Sequence, residues 1–203
     1  LHKEYRRQRQ MCIRDRHGVS GSGKTTLLNI MSGLLKPASG TVFVEGSDIY
    51  SLSTSERDDI RLNRIGMIFQ EHSLIVDFTV RENVELILRV RGFGSRSRVM
   101  AIEALERVGI AHLQDRYPRQ LSGGEAQRVG IARAIAGDRP ILLADEPTGQ
   151  LDRRNSQMVF ELLRALAEDE KGRTVVLSSH DPTAKEYAHR SCELVDGHLE
   201  DSC

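Results

Sequence analysis

Two kinds of apolar pattern take turns along the chain. Ile141-Leu142-Leu143-Ala144 and Thr174-Val175-Val176-Leu177-Ser178 are short β-rich runs, and each follows a stretch of helical character, Gln127 to Ala136 and Ser156 to Ala167. Strands alternating with helices predict a parallel α/β fold with ligands at the carboxyl ends of the strands. Nearer the start, Thr26 to Ser32 reads as a helix ended by Gly33 and released by Pro37. Thr41 to Glu45 reads as a strand closed by Gly46, and Ile65 to Gln70 as a β-rich run ending in a polar residue. From Val80 to about Ile110 apolar residues fall at three and four spacings, interrupted by Gly92-Phe93-Gly94-Ser95, which predicts a small helical insert. There is no internal repeat and no low-complexity linker.

Composition narrows the class. The 203 residues are 39% hydrophobic and 29% charged, enough for one domain with a real core. No apolar run approaches the roughly 18 residues of a membrane span, so the chain is expected not to cross a bilayer by itself. Three cysteines, Cys12, Cys192 and Cys203, make an odd set without C-x-x-C spacing, which argues for free thiols in a reducing cytoplasm over a disulfide framework or zinc knuckle. Formal net charge is zero, yet the first 16 residues hold six basic against two acidic side chains. The remaining body is acidic by about four charges, so no nucleic-acid partner is expected.

Three short segments carry candidate chemistry. Gly18-Val19-Ser20-Gly21-Ser22-Gly23-Lys24-Thr25 satisfies G-x-x-x-x-G-K-[ST] and runs directly into a helix through Thr26. Small residues let consecutive N–H groups wrap phosphates, the helix dipole favours anions, Lys24 would reach the terminal phosphates and the Thr25 hydroxyl would meet Mg²⁺. Ile141 to Ala144 ends in Asp145-Glu146, two carboxylates at the mouth of a buried strand. Asp145 would hold Mg²⁺ and Glu146 would act as general base on a water. Leu121-Ser122-Gly123-Gly124-Glu125 opens a second helix with Ser and two glycines, a second anion site. One complete cradle already exists, so a second is redundant within a subunit unless it serves a γ-phosphate held by another copy.

Leu121 to Glu125, followed by Ala126-Gln127-Arg128, resembles the signature of the ATP-binding-cassette ATPases, and the resemblance covers residues 18 to about 200. It implies a P-loop NTPase (RecA-like) α/β core over 18–70 and 121–203, with a helical subdomain at about 71–120 and ATP with Mg²⁺ as cofactors. It implies a homodimer, head to tail, with ATP sandwiched between Gly18–Thr26 of one subunit and Ser122, Gly123, Gly124 and Glu125 of the other. Gln70 is similar to the family's Q-loop glutamine, at the metal or the attacking water. Gly149-Gln150-Leu151-Asp152 resembles its D-loop, and His180 its switch histidine. Catalytic roles thus fall to Glu146, His180 and Gln70, metal contacts to Thr25, Gln70 and Asp145, and a seam contact to Asp152. Asp145 to Asp152 and Asp77 to Val84 are similar to the branch that drives lipoprotein release, macrolide-type efflux and division-site signalling. That branch implies a peripheral ATPase on the inner face of the cell membrane. It would touch the membrane only through a separate permease with a large extracytoplasmic domain.

The start of the chain departs from this pattern. Only 17 residues precede Gly18 where the family has about forty, so the amino-terminal β-subdomain is expected to be largely missing. Arg14, Asp15, Arg16 and His17 are costly in a buried central strand, because each unpaired buried charge costs several kcal/mol. The expectation is that the strand feeding the phosphate loop is absent. Met11 to Arg16 also resembles translated sequencing-adapter read-through, which makes residues 1–17 a non-native extension by expectation, with Tyr5 a poor adenine platform. Alternatives are a non-transport member of the family (division-site signalling, DNA repair or translation) or an inert truncated fragment. The short spacing from Lys24 to Ser122 and the single cassette disfavour repair and translation.

Overall fold

Successive side chains of a strand point to opposite faces, and in this sheet both faces are covered. Residues 10–15, 22–195 and 197–202 are described by the computed structural model; for 10–15, 201 and 202 the description is of the backbone. In chain order the elements are β1 (Gln10–Asp15), α1 (Lys24–Met31), a two-stranded antiparallel pair β2 (Phe43–Val44) and β3 (Ser47–Asp48), α2 (Thr54–Arg64) and β4 (Ile65–Ile68). The insert holds α3 (Val80–Val90) and α4 (Ser97–Arg107). There follow α5 (Gly123–Ile135), β5 (Ile141–Asp145), α6 (Arg153–Glu168), β6 (Thr174–Ser179), the short α7 (Ala184–Tyr187), β7 (Arg190–Val195) and β8 (His198–Ser202).

Six strands form one sheet in the order β4-β5-β6-β1-β7-β8, parallel except for β8 against β7. On one face Leu142 and Ala144 of β5 join Val175 and Leu177 of β6, Phe160 and Leu163 of α6, and the apolar stripes of α3, α4 and α5 in the larger core. On the other, Leu143 and Val176 meet Leu28 of α1 and Ile65. Phe160, Leu142, Val175 and Leu177 are fully buried, each worth about 1.5–3 kcal/mol against exposure. Three helices begin with reciprocal capping boxes: Ser53 with Glu56 on α2, Thr79 with Glu82 on α3, and Ser122 with Glu125 on α5. The insert is tied back to the core where Arg107 of α4 pairs with Asp169 at 2.5 Å. Among the described residues no helix is long and apolar enough to cross a membrane. Cys192 is buried.

One expectation is corrected. The central strand is present: residues 10–15 run parallel between β6 and β7, with Cys12 opposite Leu177 on one side and Ser191 on the other. A ladder is made of main-chain N–H and C=O groups, which any sequence except proline supplies. Without β1, both β6 and β7 would carry an unpaired inner edge. The avoidance of charge by buried strands, sound as a tendency, was outweighed by this backbone requirement. The remaining amino-terminal expectations, on residues 1–9 with Tyr5 and on 16–17, fall outside the described residues.

Candidate functional site

The α1 helix opens at Gly23, whose φ of 95° is in the left-handed region that favours glycine. Gly23 offers no capping side chain and the first turn contains no acid, so the first-turn N–H groups and the positive dipole end suit an anion. Ser22, Gly23 and Lys24 are half-buried, while Thr25 and Thr26 are exposed. Gly18, Val19, Ser20 and Gly21 lie outside the described residues.

Directly beyond the sheet, three of the expected residues meet. Glu146 follows the last residue of β5 and His180 the last residue of β6. The Glu146 carboxylate stands 3.5 Å from Lys24 Nζ through Oε1. Its Oε2 accepts from the His180 backbone N–H at 3.2 Å and contacts Nδ1 of the ring at 2.8 Å. A carboxylate in this contact only accepts, so Nδ1 is the donor nitrogen. Glu146 is 13% exposed and the His180 ring 58%, so the carboxylate is sheltered and the ring faces solvent. The backbone of Glu146 is in the left-handed region, φ 46°, a conformation that costs a non-glycine residue about 1–2 kcal/mol. It is held there by two bonds from its own N–H, to Ser178 Oγ at 3.1 Å and Ser178 O at 3.2 Å, and by Gly149 N–H donating to Glu146 O at 3.1 Å. Asp145 accepts from Ser178 Oγ at 2.7 Å through Oδ1.

Gln70 follows β4 at the same end of the sheet and lies over Gly149: a Cβ added there would come within 2.9 Å of Gln70 Nε2. Glycine is therefore what lets the two loops touch. The segment after Gln70 is fastened to α5. His72 Nδ1 is 2.6 Å from Gln127 Oε1, and Arg133 donates to the carbonyls of Ser73 at 2.7 Å and His72 at 3.0 Å. Beside it opens a groove of about 500 Å³ lined by apolar Leu62, Ile65, Met67, Phe69 and Ile87 and by Arg133, Arg139 and the ion pair of Arg61 with Asp58. Burial, with Arg91 and Arg133 nearby, lowers Arg139 to about 10, so it keeps its charge at neutral pH.

The second Gly-rich turn is arranged differently. Ser122 Oγ donates to Glu125 Oε2 at 2.7 Å, and Glu125 N–H donates back to Ser122 Oγ at 3.3 Å. Those bonds hold the Glu125 carboxyl below the usual carboxylate range. Gly123 packs on Leu151 and Gly124 on Asn155. Asp152 caps α6, accepting from Asn155 N–H at 3.0 Å, and this lowers its pKa. Sequence reading thus located Lys24, Gln70, Glu146 and His180 around one sheet end, while Ser122 to Glu125 and Asp152 form a separate corner with α6. It missed Ser178, Gln127 and Arg133. Gln127 stood inside the signature phrase, but nothing local marks Ser178 or Arg133 as partners of residues 33 and 60 positions away.

The donors proposed for Mg²⁺ are the Thr25 hydroxyl, the Asp145 carboxylate and the Gln70 amide oxygen. All are hard oxygens, and they fit an ion that takes few protein ligands alongside substrate phosphates. Among the described residues no cluster of three or more His, Cys, Asp or Glu makes a protein-only metal cage.

Comparison with known proteins gives the family. The ABC transporter family pattern matches residues 16–149. The lipoprotein-releasing system ATP-binding protein LolD of Blochmanniella floridana is 45% identical over 183 residues, 90% of this chain and 77% of that protein. The ABC transporter ATP-binding protein MJ0796 of Methanocaldococcus jannaschii is 43% identical over 191 residues, 90% of this chain and 80% of that protein. The dimeric structure of MJ0796 superposes with a TM-score of 0.83 at 38% identity, covering 96% of this chain and 84% of that one. Its post-hydrolysis state bound to ADP and Pi gives a TM-score of 0.83 at 37% identity, covering 97% and 86%. The chain belongs to the ABC transporter family, as one of its ATP-binding and ATP-hydrolysing subunits.

Proposed function

We propose that two copies of this chain close head to tail on two ATP molecules and drive a membrane permease, with Glu146 as the base that activates water. The observation that carries this reading is the Glu146 carboxylate set between Lys24 and His180 at the sheet end. Gly18 to Thr26 wrap the phosphates, and Lys24 leaves Glu146 for the terminal phosphates when they arrive. Thr25, Asp145 and Gln70 would hold Mg²⁺, which would supply charge neutralisation for the transferring phosphoryl group. Glu146 takes the proton of the attacking water, the new P–O bond forms at the γ-phosphorus, and the bond to ADP breaks. His180, released from Glu146 Oε2, steadies the γ-phosphate, and Ser122, Gly123, Gly124, Glu125 and Asp152 approach from the partner subunit.

The groove beside Gln70 is the docking place for the permease. Its apolar lining and its arginines fit an amphipathic segment with an acidic residue. Arg133 lines this groove and holds the carbonyls after Gln70, so a pull on the groove is transmitted to the catalytic glutamine. The branch phrases at Asp77–Val84 and Asp145–Asp152 support a permease with a large extracytoplasmic domain, and with it a position for the subunit on the cytoplasmic face of the membrane. Cargo and direction are properties of that permease.

Glu146→Gln tests the reading. Removing the base is expected to lower turnover about 10²–10⁴-fold, while ATP is retained and the dimer accumulates, as read by phosphate release and size-exclusion chromatography. Unchanged turnover removes Glu146 as the base.

A further inference from the structure

We propose that Ser178 is a positioning residue for hydrolysis: one buried hydroxyl fixes the metal-binding carboxylate of Asp145 and the backbone of the base Glu146 together. The proposal rests on the roles given above to Asp145 and Glu146.

Ser178 is on β6 in register with Asp145 on β5 and is fully buried. Its single hydroxyl proton goes to Asp145 Oδ1 at 2.7 Å. Its oxygen accepts from the Glu146 backbone N–H at 3.1 Å. The bonds therefore run one way, from Glu146 N–H through the hydroxyl to the Asp145 carboxylate, and each polarises the next. Two consequences follow. The Asp145 carboxylate is held in one orientation through Oδ1. Glu146, whose φ of 46° suits glycine better than glutamate, is kept in the turn that aims its carboxylate at Lys24 and His180. Ser179 is equally buried, and its Oγ accepts from Asp181 N–H at 3.0 Å within its own loop. The hydroxyl of Ser178 thus sets the angle between the two acids.

Threonine and valine have nearly the same shape and differ in the hydroxyl, so Ser178→Thr and Ser178→Val separate chemistry from packing. Losing a buried hydrogen bond to a charged group corresponds to about 10–100-fold. Ser178→Val is expected to lower kcat by about that factor. It is also expected to reduce, by about tenfold, the gain in ATP affinity that Mg²⁺ gives over EDTA, measured by calorimetry in the Glu146→Gln background. Ser178→Thr should recover both. Wild-type kcat and Mg²⁺ response in Ser178→Val would overturn the proposal. So would equal loss in the Thr variant, or loss of ATP binding in EDTA as well, since the hydroxyl would then only support packing. If instead Glu146→Gln alone leaves turnover unchanged, the failure lies in the functional reading and not in the Ser178 contact.

Discussion

Two helices of this subunit open on Gly-rich turns, and their amino termini are built on opposite plans. At α1 the capping position is Gly23, without a side chain, and the first turn has no acid. At α5 the capping position is Ser122, whose hydroxyl and backbone are both engaged by Glu125. The first end, with a glycine cap and no acid in its first turn, suits an anion. The second end satisfies itself and must trade the Ser122–Glu125 bond to serve a phosphate. Their surroundings differ likewise: Lys24 of α1 stands beside Glu146, whereas Gly123 and Gly124 are packed on Leu151 and Asn155. A turn that is closed on itself when the subunit is alone is suited to a ligand delivered by a second copy.

The largest effect should come from the first end. Lys24→Ala removes the cation next to the Glu146 carboxylate. It is expected to weaken ATP binding at least tenfold and to abolish turnover, because a charge-assisted bond to phosphate is worth about 1.5–3 kcal/mol. Equilibrium titration of ATP and a phosphate-release assay read both. Full-strength binding by Lys24→Ala would break the contrast, since α1 would then be no more a phosphate site than α5.

A smaller effect, confined to the second end, is expected from Gly124→Ala. The new Cβ would fall 2.5 Å from Asn155 Oδ1 and 2.8 Å from its Cγ. The Asn155 side chain cannot swing away freely, because its Nδ2 donates to Asp152 Oδ2 at 2.5 Å. Overpacking of this kind costs about 1–3 kcal/mol, a fall of several degrees in the thermal midpoint. Asn155→Ala in the same chain should return part of it, and a double-mutant cycle would read the coupling. Additive losses would mean that the turn and α6 are not packed as one unit.

How much of this could be read from residues alone depended on how local each signal is. The phosphate loop, the Asp145-Glu146 pair, Gln70 and His180 are contiguous phrases or strand ends, and the described ones came to one end of the sheet. Strands β5 and β6, both unbroken apolar runs, were legible within a residue or two. Helix α2 was not, because none of its residues is buried and it has no apolar stripe to betray it; its Ser53–Glu56 capping box was the available signal. In β7, half-buried and buried residues alternate among charges, which hid it. Strand β1 was misjudged because its place is set by the unpaired edges of β6 and β7, which lie more than 150 residues away in sequence. The Ser178–Asp145 and Arg133–Ser73 bonds span 33 and 60 positions and exist only once the sheet is folded.

The smallest effect is the most specific to the difference between the two ends. Ser122→Ala deletes the α5 cap, at a cost of about 0.5–2 kcal/mol, or a few degrees in thermal midpoint for a chain of this size. Its pH dependence identifies the partner. Ser122 lowers the pKa of Glu125 from its ordinary 4.5 in the folded chain. Between the unfolded and folded values the unfolded chain binds more protons. The contribution is therefore present above about 4.5 and is lost as pH falls through the lower folded value. The wild-type advantage over Ser122→Ala should accordingly shrink as pH is taken from above to below 4.5, read by thermal unfolding across that interval. Thr26→Ala in the first turn of α1, where no acid is present, should give a difference that stays flat over the same interval. Equal slopes for the two variants would erase the distinction, because Glu125 would then not be what closes the second turn on itself.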